Sequence, residues 1–325
     1  MTMMGKNKVA TVFGGTGFIG RHVVRELAAR GIIVKVATRV PESAYFLRPC
    51  GSVGQVVPFA CDYKDDESIA AAVAGSDYVV NCIGILYEKG KRRKFEKIHV
   101  DLPARIAAAC KASGAERFVH LSAMACERGT SKYAKSKIEG EKALFEMFEG
   151  ASILRPSVVF GEDDDFFNMF AKLSRISPVL PLIGGGHTKF QPVFVGDVAD
   201  AVIACLERST VGSGNPLGKT YELGGPDVVT FREVYETLFE YTQRPRALVS
   251  LPFWVAKLEA RLLQLMPKPL LTADQVESLK TDNVMSAGEL GLSDLGITPQ
   301  SMQLILPHYL PAYRAGGRFG DKKLA

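Results

Sequence analysis

The chain has 325 residues, enough for one large α/β unit or a ligand-binding domain with a smaller companion. At 47% hydrophobic and 23% charged it can build a sizeable core, and 40 basic against 35 acidic residues leave a net charge of only +5. That excess is too small to argue for nucleic acid, and no uninterrupted apolar run approaches the ~20 residues of a membrane-spanning helix. It fits contact with an acidic partner or a membrane surface, as it also fits a bland globular protein. Six scattered cysteines, Cys50, Cys61, Cys82, Cys110, Cys126 and Cys205, show no zinc-like spacing, so reduced thiols and no metal site are expected. Cys61, Cys82 and Cys205 sit inside apolar patterns and are expected to be buried. Residues 1–8 are short and polar, unlike a signal peptide or a presequence.

An apolar, β-branched run at 9–13 meets a glycine cluster, Gly14-Gly15-Thr16-Gly17-Phe18-Ile19-Gly20. Gly15, Gly17 and Gly20 fit the G-x-G-x-x-G dinucleotide fingerprint, while Gly14, Gly17 and Gly20 fit a G-x-x-G-x-x-G spacing. In either register the first glycines permit a tight turn and close approach to a pyrophosphate, and the last lets the helix pack on the strand. Backbone N–H groups at the helix start would then face the phosphates. Phe18, Val23, Val24, Leu27 and Ala28 recur at helical spacing, with Gly31 as the stop. Residues 32–37 read as a buried strand ending at Thr38-Arg39. An acid there would bind the ribose 2′-hydroxyl of NAD; Arg39 suits a 2′-phosphate instead, so NADP(H) is expected over NAD(H). The plainer alternative is a solvated loop arginine.

Residues 56–59 give a third strand, followed by Cys61-Asp62. Asp62 is either an acceptor for an adenine amino group or a turn residue. A helix over 67–74 leads to a fourth strand, 78–84, whose end at Gly84 allows close backbone approach to a ligand. Glu88-Lys89-Gly90-Lys91-Arg92-Arg93-Lys94 is the densest basic cluster, read either as a solvated loop or as a docking patch for an acidic protein surface or anionic lipid. A helix over 95–112 contains Pro103, which implies an early kink or a second start. A fifth strand, 118–122, places His120 among apolar neighbours as a satisfied core histidine. Tyr133 and Lys137 then open a helix running to about 148 and share one face of it. A lysine ammonium there is expected to lower the phenol pKa and make proton exchange feasible, and it can hydrogen-bond a nicotinamide ribose.

With these pieces in place, the chain resembles the short-chain dehydrogenase/reductase superfamily in its extended or atypical branch. The likeness rests on the glycine loop, Arg39, Asp62, the Asn81 to Gly84 corner, Ser122, Tyr133 with Lys137, Leu154-Arg155-Pro156-Ser157-Val158-Val159-Phe160-Gly161, and Gln191-Pro192-Val193-Phe194-Val195-Gly196-Asp197, over roughly residues 8–245. It implies a catalytic set of Tyr133, Lys137 and Ser122. It also implies a cofactor set of Gly14, Thr16, Gly17, Phe18, Ile19, Gly20, Arg39, Asp62, Tyr63, Cys82, Ile83, Gly84, Tyr133, Lys137 and Pro156. One departure bears on turnover: the family's carbonyl-polarising serine or threonine aligns nearer Ala123 than Ser122. Within the superfamily the chain is most similar to the nucleotide-binding accessory subunits of respiratory complex I and their bacterial relatives. Leu47-Arg48-Pro49, Gly54-Gln55, Ile83-Gly84 and Phe118-Val119-His120-Leu121-Ser122 add to that likeness. It implies tightly bound NADPH, a structural or assembly role without a step in electron transfer, and other complex I subunits of the peripheral arm as partners. Peripheral attachment at the cytoplasmic side of a bacterial inner membrane, or the matrix side in an organelle, follows from the same likeness, whereas contact with anionic lipid is the docking reading of the basic 88–94 cluster. The alternative is a free NADP-dependent reductase or nucleotide-sugar epimerase/dehydratase using Tyr133 and Lys137.

In the second half, Glu162-Asp163-Asp164-Asp165 reads as a loop or helix N-terminus rather than a metal site. Residues 166–176 look helical, and Pro178 and Pro181 bound a loop holding Gly184-Gly185-Gly186. A strand over 220–223 precedes a helix capped by Thr230, with Phe231, Val234, Tyr235, Leu238 and Phe239 on one side. Residues 252–266 carry Phe253, Trp254, Val255, Leu258, Leu262, Leu263 and Leu265, either a core or lid helix or a partner-binding, interfacial one. The glycine-rich, basic end, 313–325, is expected to be extended or ordered only against a partner. The expected fold is a doubly wound parallel (Rossmann) α/β sheet with a smaller C-terminal α/β cap. Residues 1–160 would form the dinucleotide domain and 161–325 mostly the cap, with 190–206 and 219–224 returning to the sheet.

Overall fold

The computed structural model describes residues 8–91, 93–206, 214–264, 266–267 and 269–319. The expectations placed on 1–7, Arg92, Leu265 and 320–325 lie outside the described residues. The first half alternates strands and helices: β1 (Val9–Phe13), α1 (Phe18–Ala29), β2 (Ile33–Thr38), β3 (Val56–Ala60), α2 (Asp66–Val73), β4 (Tyr78–Asn81), α3 (Leu102–Ser113), β5 (Arg117–Leu121), α4 (Lys132–Met147) and β6 (Ser152–Pro156). The carboxylate of Asp65 caps α2 by accepting from the Glu67 and Ser68 amides. Pro103 does not start a second, separate helix: a π-helical stretch, Glu96–Asp101, runs into α3 with Asp101 and Leu102 still in helical geometry, and the proline, which has no amide to give, stands just past that junction.

The second half adds β7 (Val159–Phe160), α5 (Phe167–Ile176), β8 (Val179–Ile183), β9 (Lys189–Phe190), β10 (Val193–Phe194), α6 (Val195–Leu206), β11 (Thr220–Leu223), β12 (Val229–Thr230), α7 (Phe231–Thr242), β13 (Ala247–Leu251), α8 (Phe253–Leu263) and α9 (Ala273–Ser278). Seven parallel strands form the central sheet in the order β11-β6-β5-β4-β1-β2-β3. The strand order reverses between β1 and β4, the switch point where doubly wound sheets bind ligands. Alternation along the strands feeds two layers. Val12, Val34, Val80 and Val119 face α1 and α6, while Phe13, Val79 and Phe118 face α2, α3 and α4. A separate core in the smaller cap packs Phe160, Phe167, Leu180, Tyr235 and Leu306.

Three expectations fail here. Residues 178–183 are not a loop: β8 pairs in parallel with β13, from Val179 opposite Ala247 to Ile183 opposite Leu251. A two-stranded ribbon leaves each strand one open edge, so prolines fit it without breaking a ladder. The end of the chain is ordered against the chain itself through residue 319 rather than waiting for a partner. The Tyr313 hydroxyl donates to Asn168 Oδ1 at 2.8 Å and Arg314 Nε to the Tyr241 carbonyl at 2.8 Å. Cys82, expected inside the core, is only half-buried at the tip of β4, although all six cysteines are free. The acidic run is a loop in which buried Asp164 accepts from the Gly161, Phe166 and Asn168 amides and from the Tyr309 hydroxyl. Among the described residues, no helix is long and apolar enough to cross a membrane.

Candidate functional site

The glycine turn sits at the switch point because only hydrogen side chains fit there. Gly14 has φ +75°, and a Cβ on it would stand 3.0 Å from the Cys82 carbonyl carbon. A Cβ on Gly20 would stand 2.2 Å from the Gly14 oxygen, so α1 starts directly against the turn. Gly17 N donates to the Gly14 carbonyl at 2.9 Å, and α1 begins at Phe18 with no side-chain cap and no acid in its first turn. The amides of Phe18, Ile19 and Gly20 therefore start a helix with no intrahelical acceptor, beside half-buried Thr16.

Across β2, Arg39 is exposed, its guanidinium 5.8 Å from the centre of the Tyr63 ring. The Tyr63 hydroxyl donates to the Ala37 carbonyl at 2.8 Å, which fixes that ring as a platform at the strand end. Asp62 is exposed and closes its own turn, Oδ1 accepting from Lys64 N at 3.1 Å. The structure brings the glycine turn, Cys82 and Ile83 into contact, with Ile83 Cγ1 only 3.1 Å from where a Gly14 Cβ would be.

The other half of the site lies at the tips of β4, β5 and β6. Lys137 is buried, and its Nζ donates to the Leu121 carbonyl at 3.1 Å. It also lies 3.6 Å from the position of a Gly84 Cβ and 5.9 Å from the centre of the Tyr133 ring. Burial lowers Lys137 to about 8, and burial raises Tyr133 well above the ordinary phenol value, with Cys126 adding to the rise. The expectation of a lysine-lowered phenol is thus corrected. Desolvation disfavours the phenolate, and the ammonium gives its hydrogen bond to a backbone carbonyl rather than to the phenol.

Ser122, one residue past β5, is buried beside the Cys126 thiol, and its Oγ makes no oxygen or nitrogen hydrogen bond among the described residues. It joins neither Tyr133 nor Lys137. The half-buried residue at the strand tip is Ala123. Pro156 closes buried β6, its carbonyl accepting from Met124 N at 2.9 Å. His120 is satisfied at one nitrogen only. Asn81 Oδ1 accepts from Ile83 N, so Asn81 Nδ2 faces His120 Nδ1 at 3.1 Å, and His120 Nε2 is left without a partner among the described residues.

Two site residues escape a reading of the sequence. His99 accepts from Ile85 N at Nε2 (3.0 Å) and meets Ser136 Oγ at Nδ1 (2.9 Å), while Ser136 Oγ donates to the Tyr133 carbonyl. An acceptor at Nε2 requires the proton at Nδ1, so the ring is neutral, as burial and the nearby Lys137 and His120 also demand. His99 thus clasps the Gly84–Ile85 corner to the Tyr133 helix, and its ring meets Tyr133 edge-on at 5.4 Å. A Cβ at Gly140 would reach 1.7 Å from the His99 carbonyl oxygen, so that glycine permits the close helix contact. The second is Asp274, whose carboxylate accepts from Lys132 N at 2.7 Å and Tyr133 N at 3.0 Å. The only signal for His99 was its place in a helix just after the fourth strand; none marked Asp274, 141 residues from Tyr133.

The fit to known proteins agrees with this geometry. Residues 10–224 match the NAD dependent epimerase/dehydratase family. The chain is 37% identical, over 96% of its own length and 80% of the relative's, to a protein of Arabidopsis thaliana named NADH dehydrogenase (ubiquinone) 1 alpha subcomplex subunit 9, mitochondrial. The protein of that name from Rattus norvegicus is 36% identical over 91% of this chain and 78% of its own. An NADPH-dependent quinone oxidoreductase of Escherichia coli, solved with NADPH, superimposes with a TM-score of 0.68 over 90% of this chain and 96% of its own, at 19% identity, a likeness of fold.

Proposed function

The chain belongs to the NAD-dependent epimerase/dehydratase family, alongside the alpha subcomplex subunit 9 proteins of NADH dehydrogenase, and we propose that it is an accessory subunit of respiratory complex I. It holds NADP(H), as NADPH, in a structural or assembly role and contributes no step to electron transfer. Its partners are neighbouring subunits of the peripheral arm, and it sits peripherally at the inner membrane. Residues 1–160 form the dinucleotide-binding part and 161–325 mostly the cap.

The glycine turn fits a dinucleotide because side chains are excluded where a pyrophosphate would lie against the backbone. The amides of Phe18, Ile19 and Gly20 would bind the pyrophosphate. Arg39 and the Tyr63 platform would take the 2′-phosphate and Asp62 the adenine edge. Ile83, Gly84 and Lys137 would line the nicotinamide ribose, with Tyr133 and Pro156 beside the ring. A nicotinamide dinucleotide supplies hydride transfer, but one observation favours holding over turnover. The hydroxyl of Ser122 is buried beside Cys126, and the half-buried residue next to it past the strand is Ala123, which has none to offer a carbonyl.

Gently solubilised membranes test the assignment. The chain should comigrate with NADH dehydrogenase activity, and acid extraction of the assembled complex should release NADP(H). Arg39→Ala should weaken NADPH by roughly tenfold to a hundredfold, as loss of a charge-assisted hydrogen bond does, and leave NADH nearly unchanged. Migration as a free protein, with carbonyl or nucleotide-sugar turnover abolished by Tyr133→Phe, would establish the reductase or epimerase alternative instead.

A further inference from the structure

Helix α8 turns apolar side chains outward. At 3.6 residues per turn, Trp254, Leu258 and Leu262 share one side, opposite Ala256 and Ala260, which are buried in the cap core. The three outward residues are 73%, 56% and 66% exposed, and Met266 and Leu270 extend the row beyond the helix at 45% and 53%. The ridge stands on a fixed base. The Phe253 ring fills the space beside Gly184, where a Cβ would come within 2.3 Å of it, and Lys257 pairs with Glu277 of α9 at 3.2 Å.

The chain's densest basic segment is fastened to the same ridge. Lys89 Nζ donates to the Pro267 carbonyl at 2.6 Å, which ties the loop of residues 86–94 to the end of the apolar row. That loop presents exposed Leu86 and Lys91, and the Arg93 guanidinium stacks 4.4 Å from the centre of the Tyr87 ring. Arg261, exposed on α8, flanks the row from the helix itself. Exposed apolar side chains thus stand beside cations that outnumber the acids among them, Glu259 on α8 and Glu88, which pairs with Lys94 at 3.7 Å. A bilayer interface offers both environments these groups need, acyl chains for the row and phosphates for its cationic edge. The core of a protein–protein contact, by contrast, is depleted in lysine.

We propose that α8 and the 86–94 loop form an interfacial anchor that seats this protein on an anionic lipid surface. The anchor deepens the peripheral placement given above and rests on that placement for its biological setting. Its test uses only purified chain and lipid, so its failure leaves the complex I assignment standing.

Trp254 is the single tryptophan of the chain, so its emission reports the ridge without a label. Vesicles of phosphatidylcholine mixed with phosphatidylglycerol should shift that emission to the blue, and bromine-labelled acyl chains should quench it. Pure phosphatidylcholine should bind at least tenfold more weakly, and added salt should weaken binding to the mixed vesicles. Leu258→Glu combined with Leu262→Glu should abolish the shift, and Lys89→Glu with Lys91→Glu should reduce affinity at least tenfold, each variant keeping the wild-type circular dichroism. If a variant fails to fold, the wild-type response to the two vesicle types decides alone. Emission unchanged by anionic vesicles overturns the proposal. So does a Trp254 that ignores lipid but is shielded from iodide in the assembled complex, because a protein would then cover the ridge.

Discussion

Lys137 carries its ammonium into a place where water does not compensate it. Its neighbours are the Leu121 carbonyl, two neutral histidines and thiols, and burial, only partly opposed by the Glu141 carboxylate and the thiols, brings its pKa from 10.5 to about 8. Below about pH 8 the folded and unfolded chains both hold the proton, and the folded state bears the full cost of a buried cation. Between the two values the unfolded chain binds the extra proton, so stability rises with pH. The unfolding free energy of the wild type minus that of Lys137→Met should therefore grow by on the order of 2 kcal/mol from about pH 7 to about pH 9.5. Guanidinium titrations at the two pH values measure it, and a flat difference would show the ammonium to be compensated. Of the residues around it, Tyr133 and Lys137 were legible from their spacing of four. His99 was not, because a histidine among apolar helix positions looks the same whether it clasps a loop or merely fills a core.

Elements capped by their own neighbours were the most readable. Thr230 accepts from Glu233 N and Glu233 returns a bond to the Thr230 amide, a reciprocal cap written in four consecutive residues. Ser131 likewise accepts from Ala134 N at the start of α4. Yet two further amides of that start are held by Asp274 of α9, and beside them Thr130 Oγ1 reaches Glu277 and Arg128 reaches the Val284 carbonyl. The helix bearing Tyr133 is thus set in place by the cap. Asp274→Ala should cost about 1 kcal/mol, the usual worth of an N-terminal cap. It should also speed amide exchange at Lys132 and Tyr133, whereas Ser131→Ala should leave residues 272–284 protected; hydrogen–deuterium exchange separates the two. Strand β8 was expected as a loop, and β13 was not expected at all, for a related reason. Pro178 and Pro181 are turn residues by local habit, and only a partner strand 68 residues away makes 179–183 extended.

At the scale of the whole molecule, the sheet and cap have separate cores, and polar ties hold the late segment of the chain onto the cap. The Tyr309 hydroxyl donates to Asp164 Oδ2 at 2.7 Å and Tyr313 to Asn168, so the last described residues strap α5 in the cap. Burial raises the Asp164 carboxyl, a rise that the tyrosine and three amides offset only in part. Tyr309→Phe removes one of those donors and should cost about 1–3 kcal/mol in chemical denaturation, the range for a buried acceptor losing its partner. It should also make the 306–319 segment the first site of limited proteolysis; unaltered stability and cleavage would mean the strap bears no load. The exposed ridge of α8 lies in the same half, away from the dinucleotide turn in sequence and in core. The 86–94 loop tied to that ridge, however, follows directly on the Gly84 corner, so the proposed anchor and the proposed nucleotide site adjoin one another along the chain.

Local chemistry made the first half readable before any fold was known. A glycine run between a β-branched strand and an apolar helix allows few conformations, and strands buried on both faces announce themselves as continuous apolar runs. An arginine where an acid would select NAD is likewise a statement about charge that needs no coordinates. Tertiary structure decided what depends on distance through space. It buried the Ser122 hydroxyl, raised the Tyr133 phenol instead of lowering it, brought Asp274 to the start of α4, and folded the tail onto its own chain. Each is a question of which groups share a desolvated volume, and burial is set by residues far apart in sequence. The turn that promises a dinucleotide could be read residue by residue; whether its neighbours could do chemistry on it depended on what the fold had taken out of water.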